Sequence, residues 1–288
     1  MGMVQIVIDK KLLKKAAEMA ALCDHVYFRK GEETPPAGWQ IVQRSDALLG
    51  HHSNFFGALY ARENPETGKK DYVFAFRGSD GNDLKANFAI AQGKLPKQFT
   101  HAMDFIYKAC DAEGITPKDT EVTGHSLGGY LARAIGVTVD VRKVYAFAGP
   151  GPSEKTRQYL DTLVPKNALP NDRIIHFRSK HDVIGLWGLE EKITIEMDTK
   201  DHHHAIKSIR NYLDEKLHPD ASERTPLKIK EGFLTRVFNK VSKAVASCAT
   251  LRVALRNLFK HADPSRENRE DIRIVPLSKP RAPVPVYA

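Results

Sequence analysis

"VTGHSLGGYLARA", Val122 to Ala134, sets a serine between glycines, directly after a short apolar run and directly before a helix-like one. The core of the stretch, Gly124-His125-Ser126-Leu127-Gly128, has the form G-x-S-x-G. Between a strand and a helix, that form marks a nucleophile elbow. The glycines follow from the chemistry. A serine in a strained turn has its Oγ pushed outward, and side chains at the flanking positions would collide with the adjoining strand and helix. A helix starting at Leu127 also points the positive end of its dipole at the serine. The competing reading is a glycine-rich turn with no chemistry. Deciding between them requires a base, an orienting acid and an oxyanion site elsewhere in the chain.

Outward from the elbow, strands and helices alternate. "FFGALYARENPETGKKDYVFAFRG" reads as strands Phe56–Arg62 and Tyr72–Phe76 around a loop with Asn64, Pro65 and Gly68. The stretch "DTEVTG", the start of "RKVYAFAGPGP", Arg173 to Arg178 and "KITIEM" read as further strands. Helices are predicted over Lys11 to Cys23, Thr100 to Glu113 and Leu127 to Val139. A last one covers "HHHAIKSIRNYLDEKL", where Ile206, Ile209 and Leu213 share a face. This alternation across 50–216 predicts an α/β fold, three layers around a mainly parallel central sheet.

The motifs resemble the class 3 lipase family, serine lipases and phospholipases A1 of the α/β-hydrolase fold. G-H-S-L-G-G is that family's elbow, and its second mark, F-R-G-S/T at the end of an earlier strand, has its counterpart in "FAFRGSD", Phe74 to Asp80. The resemblance implies Ser126 as nucleophile and an oxyanion hole formed by the backbone N–H groups of Ser79 and Leu127. In the order Ser, Asp, His, it implies Asp182 of "IIHFRSKHDVIG" as the orienting acid, with Asp172, Asp198 and Asp201 as competitors. The base comes from "DHHHAIKSI". His204, with Ile206 and Ile209 following, fits the family's phase, and His203 is the alternative base. Read as helical neighbours, His202, His203 and His204 point about 100° apart and cannot share one metal ion, so no metal and no cofactor is expected. The resemblance covers roughly 55–216, fits the N-terminal helix loosely and leaves the tail aside. Between Asp80 and Phe99, where fungal relatives carry a lid, Leu84, Phe88, Ile90 and Leu95 suit either an acyl-groove cover or an ordinary packed connection.

The chain has 288 residues and a formal charge of +9. From Thr225 onward 13 Lys/Arg stand against 5 Asp/Glu, which leaves the first 224 residues nearly neutral. The expected division is a lipase-like α/β-hydrolase domain over 1–224 and a basic tail over 225–288. In the tail Phe233, Val237, Val241, Val245, Leu251, Leu255 and Leu258 recur at three- and four-residue steps between cations, and "LSKPRAPVPVYA" is proline-rich. Residues 230–262 therefore read as a C-terminal amphipathic helical extension suited either to an anionic membrane or to packing on the core. Nucleic acid is not expected, because aromatics are not interleaved with these cations. Cys23, Cys110 and Cys248 are too few and too scattered for a disulfide framework.

No signal-peptide core and no membrane-spanning run is found. A cytoplasmic or peripheral membrane protein is expected, or one exported by a machine that needs no cleavable signal, as in bacterial effectors of the resembled family. The expected activity is hydrolysis of lipid or phospholipid acyl esters through an acyl-enzyme. Soluble esters or thioesters, and a non-catalytic membrane-binding module, are the other readings. The sequence is silent on oligomeric state.

Overall fold

Seven strands hydrogen-bond in chain order into one sheet in the computed structural model, which describes residues 9–29, 31–50, 55–79, 94–164, 172–199 and 202–219. β1 (Gln40–Arg44), β2 (Gly57–Glu63) and β3 (Lys70–Phe76) pair antiparallel. β3, β4 (Thr120–His125), β5 (Lys143–Phe147), β6 (Ile174–Ser179) and β7 (Ile193–Met197) pair parallel.

Successive parallel strands step in one direction, so right-handed crossovers put the connecting helices on one face. Helices α3 (Gln98–Glu113), α4 (Leu127–Thr138) and α5 (Glu154–Thr162) lie there, and Phe105, Leu131, Ile135 and Leu160 share a core with Phe74, Phe76 and Val122. Alternation along β3 sends Val73 and Ala75 to the other face, beside Tyr145 and Phe147. That face needs cover from outside the crossovers. The first and last helices, α1 (Lys10–His25) and α6 (Ile206–Leu217), bring Met19, Leu22, Ile206, Ile209 and Leu213 to it. A short α2 (Ser45–Leu49) follows β1. The result is a three-layer α/β-hydrolase fold with a mainly parallel sheet.

Ion pairs tie α1 to α6. Asp24, 3% exposed, receives Arg29 and Arg210, each at 2.5 Å, and Lys207 meets Glu32 at 2.6 Å. Near its start α1 sets Lys15 2.5 Å from Glu121, at the beginning of β4. α1 therefore runs toward the C-terminal ends of the parallel strands, and α6 returns from them.

Three points differ from the sequence reading. β1, α2 and α5 were not foreseen: "QIVQR" is half-exposed without alternation, and α5 buries only Thr156 and Leu160. α1, which the resemblance fitted only loosely, is part of the sheet's cover. The histidine run is not helical, since Ala205 is extended and α6 starts at Ile206. Outside the described residues lie the tail over 225–288 with its 230–262 segment, the boundary at 224, and Leu84, Phe88 and Ile90. Leu95 is described and packs, partly buried, against the α3–α4 core. Among the described residues no helix is long and apolar enough to cross a membrane.

Candidate active site

β4 is buried along its whole length and ends at His125, where the chain turns sharply. Ser126 has φ 58° and ψ −122°, a left-handed conformation that costs a non-glycine residue about 1–3 kcal/mol. Two bonds hold it: the Ser126 N–H donates to the Phe147 carbonyl and the Tyr130 N–H to the Ser126 carbonyl, both at 3.0 Å. The flanking glycines have a steric reason. A Cβ at Gly124 would strike the Gly128 carbonyl, and one at Gly128 the Phe76 carbonyl. Only without those side chains can α4 begin so close to β3 and β4.

The Oγ of Ser126 lies 2.9 Å from His204 Nε2, and His204 Nδ1 lies 3.0 Å from both carboxylate oxygens of Asp182. Asp182 is fully buried and also accepts the Ile184 N–H, at 3.0 Å. An ionised carboxylate only accepts, so Nδ1 carries the proton and Nε2 is left to accept from the serine. Asp182 sits in the turn just past β6, its N–H donating to the Ser179 carbonyl at 3.2 Å. His204 sits in the turn between β7 and α6. His202 there is left-handed at φ 50°, and the Ala205 N–H closes on its carbonyl at 2.7 Å.

His203 engages other groups. Its Nδ1 is 3.1 Å from Thr199 Oγ1 and 3.3 Å from Ser179 Oγ, and its ring packs edge-on to His181 at 5.0 Å. It braces the histidine turn against the ends of β6 and β7. The two rings diverge because of the turn, not the helical spacing read from the sequence. Among the competing acids, Asp172 precedes β6 at the far end of the sheet, and Asp198 is exposed and paired with Lys180 at 3.4 Å. Asp201 is outside the described residues.

Leu127 is the first residue of α4. Ser79 follows Gly78, where an added Cβ would lie 3.1 Å from the Ser126 Cβ. The turn after β3 and the start of α4 thus flank the serine. Among the described residues no group of three His, Cys, Asp or Glu side chains is set to hold a metal ion. Burial raises the Cys110 thiol to about 12 and the Cys23 thiol further, so both stay protonated and unreactive.

Two supports escaped the sequence reading. Arg133, 1% exposed, donates from Nε to Glu191 at 2.9 Å and from its terminal nitrogens to the carbonyls of Gly149 (3.1 Å) and Leu189. It ties α4 to the loop that follows Asp182. A signal was present: an arginine inside "YLARAIGV" is a charge on an all-apolar helix and demands partners. The second support is His125, inside the motif itself. Burial, then the neighbouring His204, push its imidazole down to about 3, so it stays neutral beside His204.

Extracellular lipase LipA from Serratia marcescens is 17% identical, with a TM-score of 0.32, over 52% of this chain and 28% of its own. The chain thus spans less than a third of that lipase. A fungal esterase from Rhizomucor miehei is 10% identical over 88% of this chain and 92% of its own, with a TM-score of 0.30. An esterase/lipase from an uncultured bacterium is 13% identical over 86% and 94%, also with a TM-score of 0.30. No curated protein matches the chain. The model of a phospholipase-like family, described as the Tle-like phospholipase domain, matches residues 18–218, from within α1 to the end of α6. With well over half of its length in that match, the chain belongs to the Tle-like phospholipase domain family.

Proposed function

We propose that this protein hydrolyses acyl esters of phospholipids, in the manner of a phospholipase A1, with Ser126 as nucleophile. The observation that carries the proposal is the 2.9 Å approach of Ser126 Oγ to an imidazole nitrogen whose partner nitrogen rests on a buried carboxylate. Ser126 Oγ attacks the ester carbonyl carbon while His204 Nε2 takes the hydroxyl proton. The carbonyl oxygen becomes an oxyanion facing the Ser79 and Leu127 N–H groups. Each such donor is worth about 3–4 kcal/mol in the transition state. Collapse expels the lyso-lipid alkoxide, which takes the proton from His204 and leaves the acyl chain on Ser126. A water molecule then repeats the sequence and releases the fatty acid. Asp182 keeps His204 in the Nδ1–H tautomer and faces the imidazolium formed at each step. The family's description as a phospholipase domain favours a phospholipid over a neutral glyceride. The basic segment at 230–262 adds affinity for anionic lipid surfaces in this reading.

The test is mass spectrometry of products from vesicles containing phospholipid and triacylglycerol, with wild type, Ser126→Ala and a chain ending at Arg224. Lyso-phospholipid and free fatty acid are expected from wild type and not from Ser126→Ala. Products from triacylglycerol alone would overturn the phospholipid assignment. Equal turnover by Ser126→Ala would overturn the mechanism.

A further inference from the structure

The elbow histidine and a tyrosine far from it in sequence make a hydrogen-bond chain that the catalytic steps above do not use. The Tyr27 hydroxyl is 2.9 Å from His125 Nδ1, and His125 Nε2 is 2.7 Å from the backbone carbonyl of His204. A carbonyl only accepts, so Nε2 carries the proton, Nδ1 accepts, and the Tyr27 O–H donates to it. The Tyr27 oxygen in turn accepts the Gly78 N–H. The chain thus runs from the Gly78 N–H to the Tyr27 hydroxyl, through the His125 ring, to the His204 carbonyl. Every bond has a fixed direction.

The elements it joins are those that must keep register for acyl transfer. Gly78 precedes Ser79 in the oxyanion turn, His125 precedes Ser126, and His204 is the base. Gly78 packs so close that a Cβ there would strike the Tyr27 hydroxyl and the His125 carbonyl. The His125 and His204 rings tilt 43° to each other at 5.2 Å between centroids, near enough that a charge on His125 would oppose the imidazolium.

We propose that Tyr27 and His125 are positioning residues that lock the base-bearing turn to the oxyanion turn. The proposal rests on the hydrolase reading of Ser126 and His204. Tyr27 comes from the turn after α1, so the first helix of the domain takes part in holding the site as well as in covering the sheet.

The test uses the full chain with Tyr27→Phe, His125→Leu and His125→Gln, whose amide N–H can still reach the His204 carbonyl. Two readouts are independent. Amide hydrogen exchange over 76–79 and 202–206 needs no turnover, and both segments should exchange at least threefold faster in Tyr27→Phe and His125→Leu. In steady-state hydrolysis of a short-chain ester, kcat should fall about 10- to 100-fold in these two variants with KM within twofold. His125→Gln should recover most of kcat. Unchanged exchange at 202–206 in Tyr27→Phe overturns the lock, whatever the activity. So does a His125→Gln as impaired as His125→Leu. Failure of the hydrolase reading has a different signature: exchange responds to Tyr27→Phe, yet Ser126→Ala is as active as wild type.

Discussion

Replacing Asp182 by asparagine tests the proposed mechanism more sharply than removing the serine, because it keeps the shape and changes one proton. Asp182 Oδ1 accepts the Ile184 N–H at 3.0 Å, and a donor there obliges the asparagine to present its carbonyl oxygen at the same place. The amide nitrogen then takes the position of Oδ2, 3.0 Å from His204 Nδ1. The Oδ1 position also lies 3.0 Å from Nδ1, but the amide N–H at Oδ2 repels a protonated Nδ1 and can donate to an unprotonated one, which favours the tautomer with the proton on Nε2, against Ser126 Oγ. The base is still in place but already occupied. In a Ser-His-Asp arrangement that tautomer costs about 10⁴-fold in kcat, or about 5 kcal/mol of transition-state stabilisation. Initial rates on a short-chain ester, with fluorophosphonate labelling of Ser126, measure the loss. Nitrogen NMR of the imidazole should show the proton on Nε2. The reasoning fails if Asp182→Asn keeps more than a tenth of wild-type kcat while Ser126→Ala is inactive.

Other outcomes follow from the same geometry. Gly124→Ala should lower stability by about 1–3 kcal/mol in urea unfolding, because its Cβ meets a backbone carbonyl that cannot rotate away. Glu191→Leu, which strands the buried Arg133 guanidinium, should cost about 3–5 kcal/mol, and adding Arg133→Met should restore part of it. His125, held down at about 3, and His176, held well below its ordinary value by burial, both stay neutral in the fold. The unfolded chain takes up those protons below about pH 6.5, so their contribution is complete above that pH and declines as pH falls below it, for His125 down to about 3. The slope is about 1.4 kcal/mol per pH unit for each histidine, and His125→Gln should flatten it in urea titrations between pH 4 and 7.

Local pattern carried the reading furthest where local sterics decide. The elbow is written in five consecutive residues, because Gly124 and Gly128 answer contacts set by the strand–turn–helix itself. The strands of the parallel core were legible for the same reason, as short buried runs between breakers. The edge was not. β1 holds its place by pairing with β2, and its own side chains are half-exposed on both faces. The histidine run shows the opposite failure, a helical phase extended across residues where the backbone turns left-handed at His202. Tyr27 carries no signal at all, since its partner His125 lies 98 residues away and a lone tyrosine after a helix looks like any other. Asp182 and His204 lie 22 residues apart, and pattern narrowed each to a few neighbours. What separates His204 from His203 is which hydroxyl each ring finds, Ser126 or the Thr199–Ser179 pair.

The antiparallel travel of α1 and α6 fixes where the chain leaves the catalytic domain. α6 starts just after His204, whose ring meets Ser126, and carries the backbone on for 12 residues, about 18 Å. For a basic segment from residue 230 to share a bilayer with Ser126, the twelve residues 218–229 have to span the length of α6, and they reach at most about 43 Å. Deleting residues 220–229 should therefore uncouple vesicle binding from vesicle hydrolysis while turnover of a soluble ester stays intact.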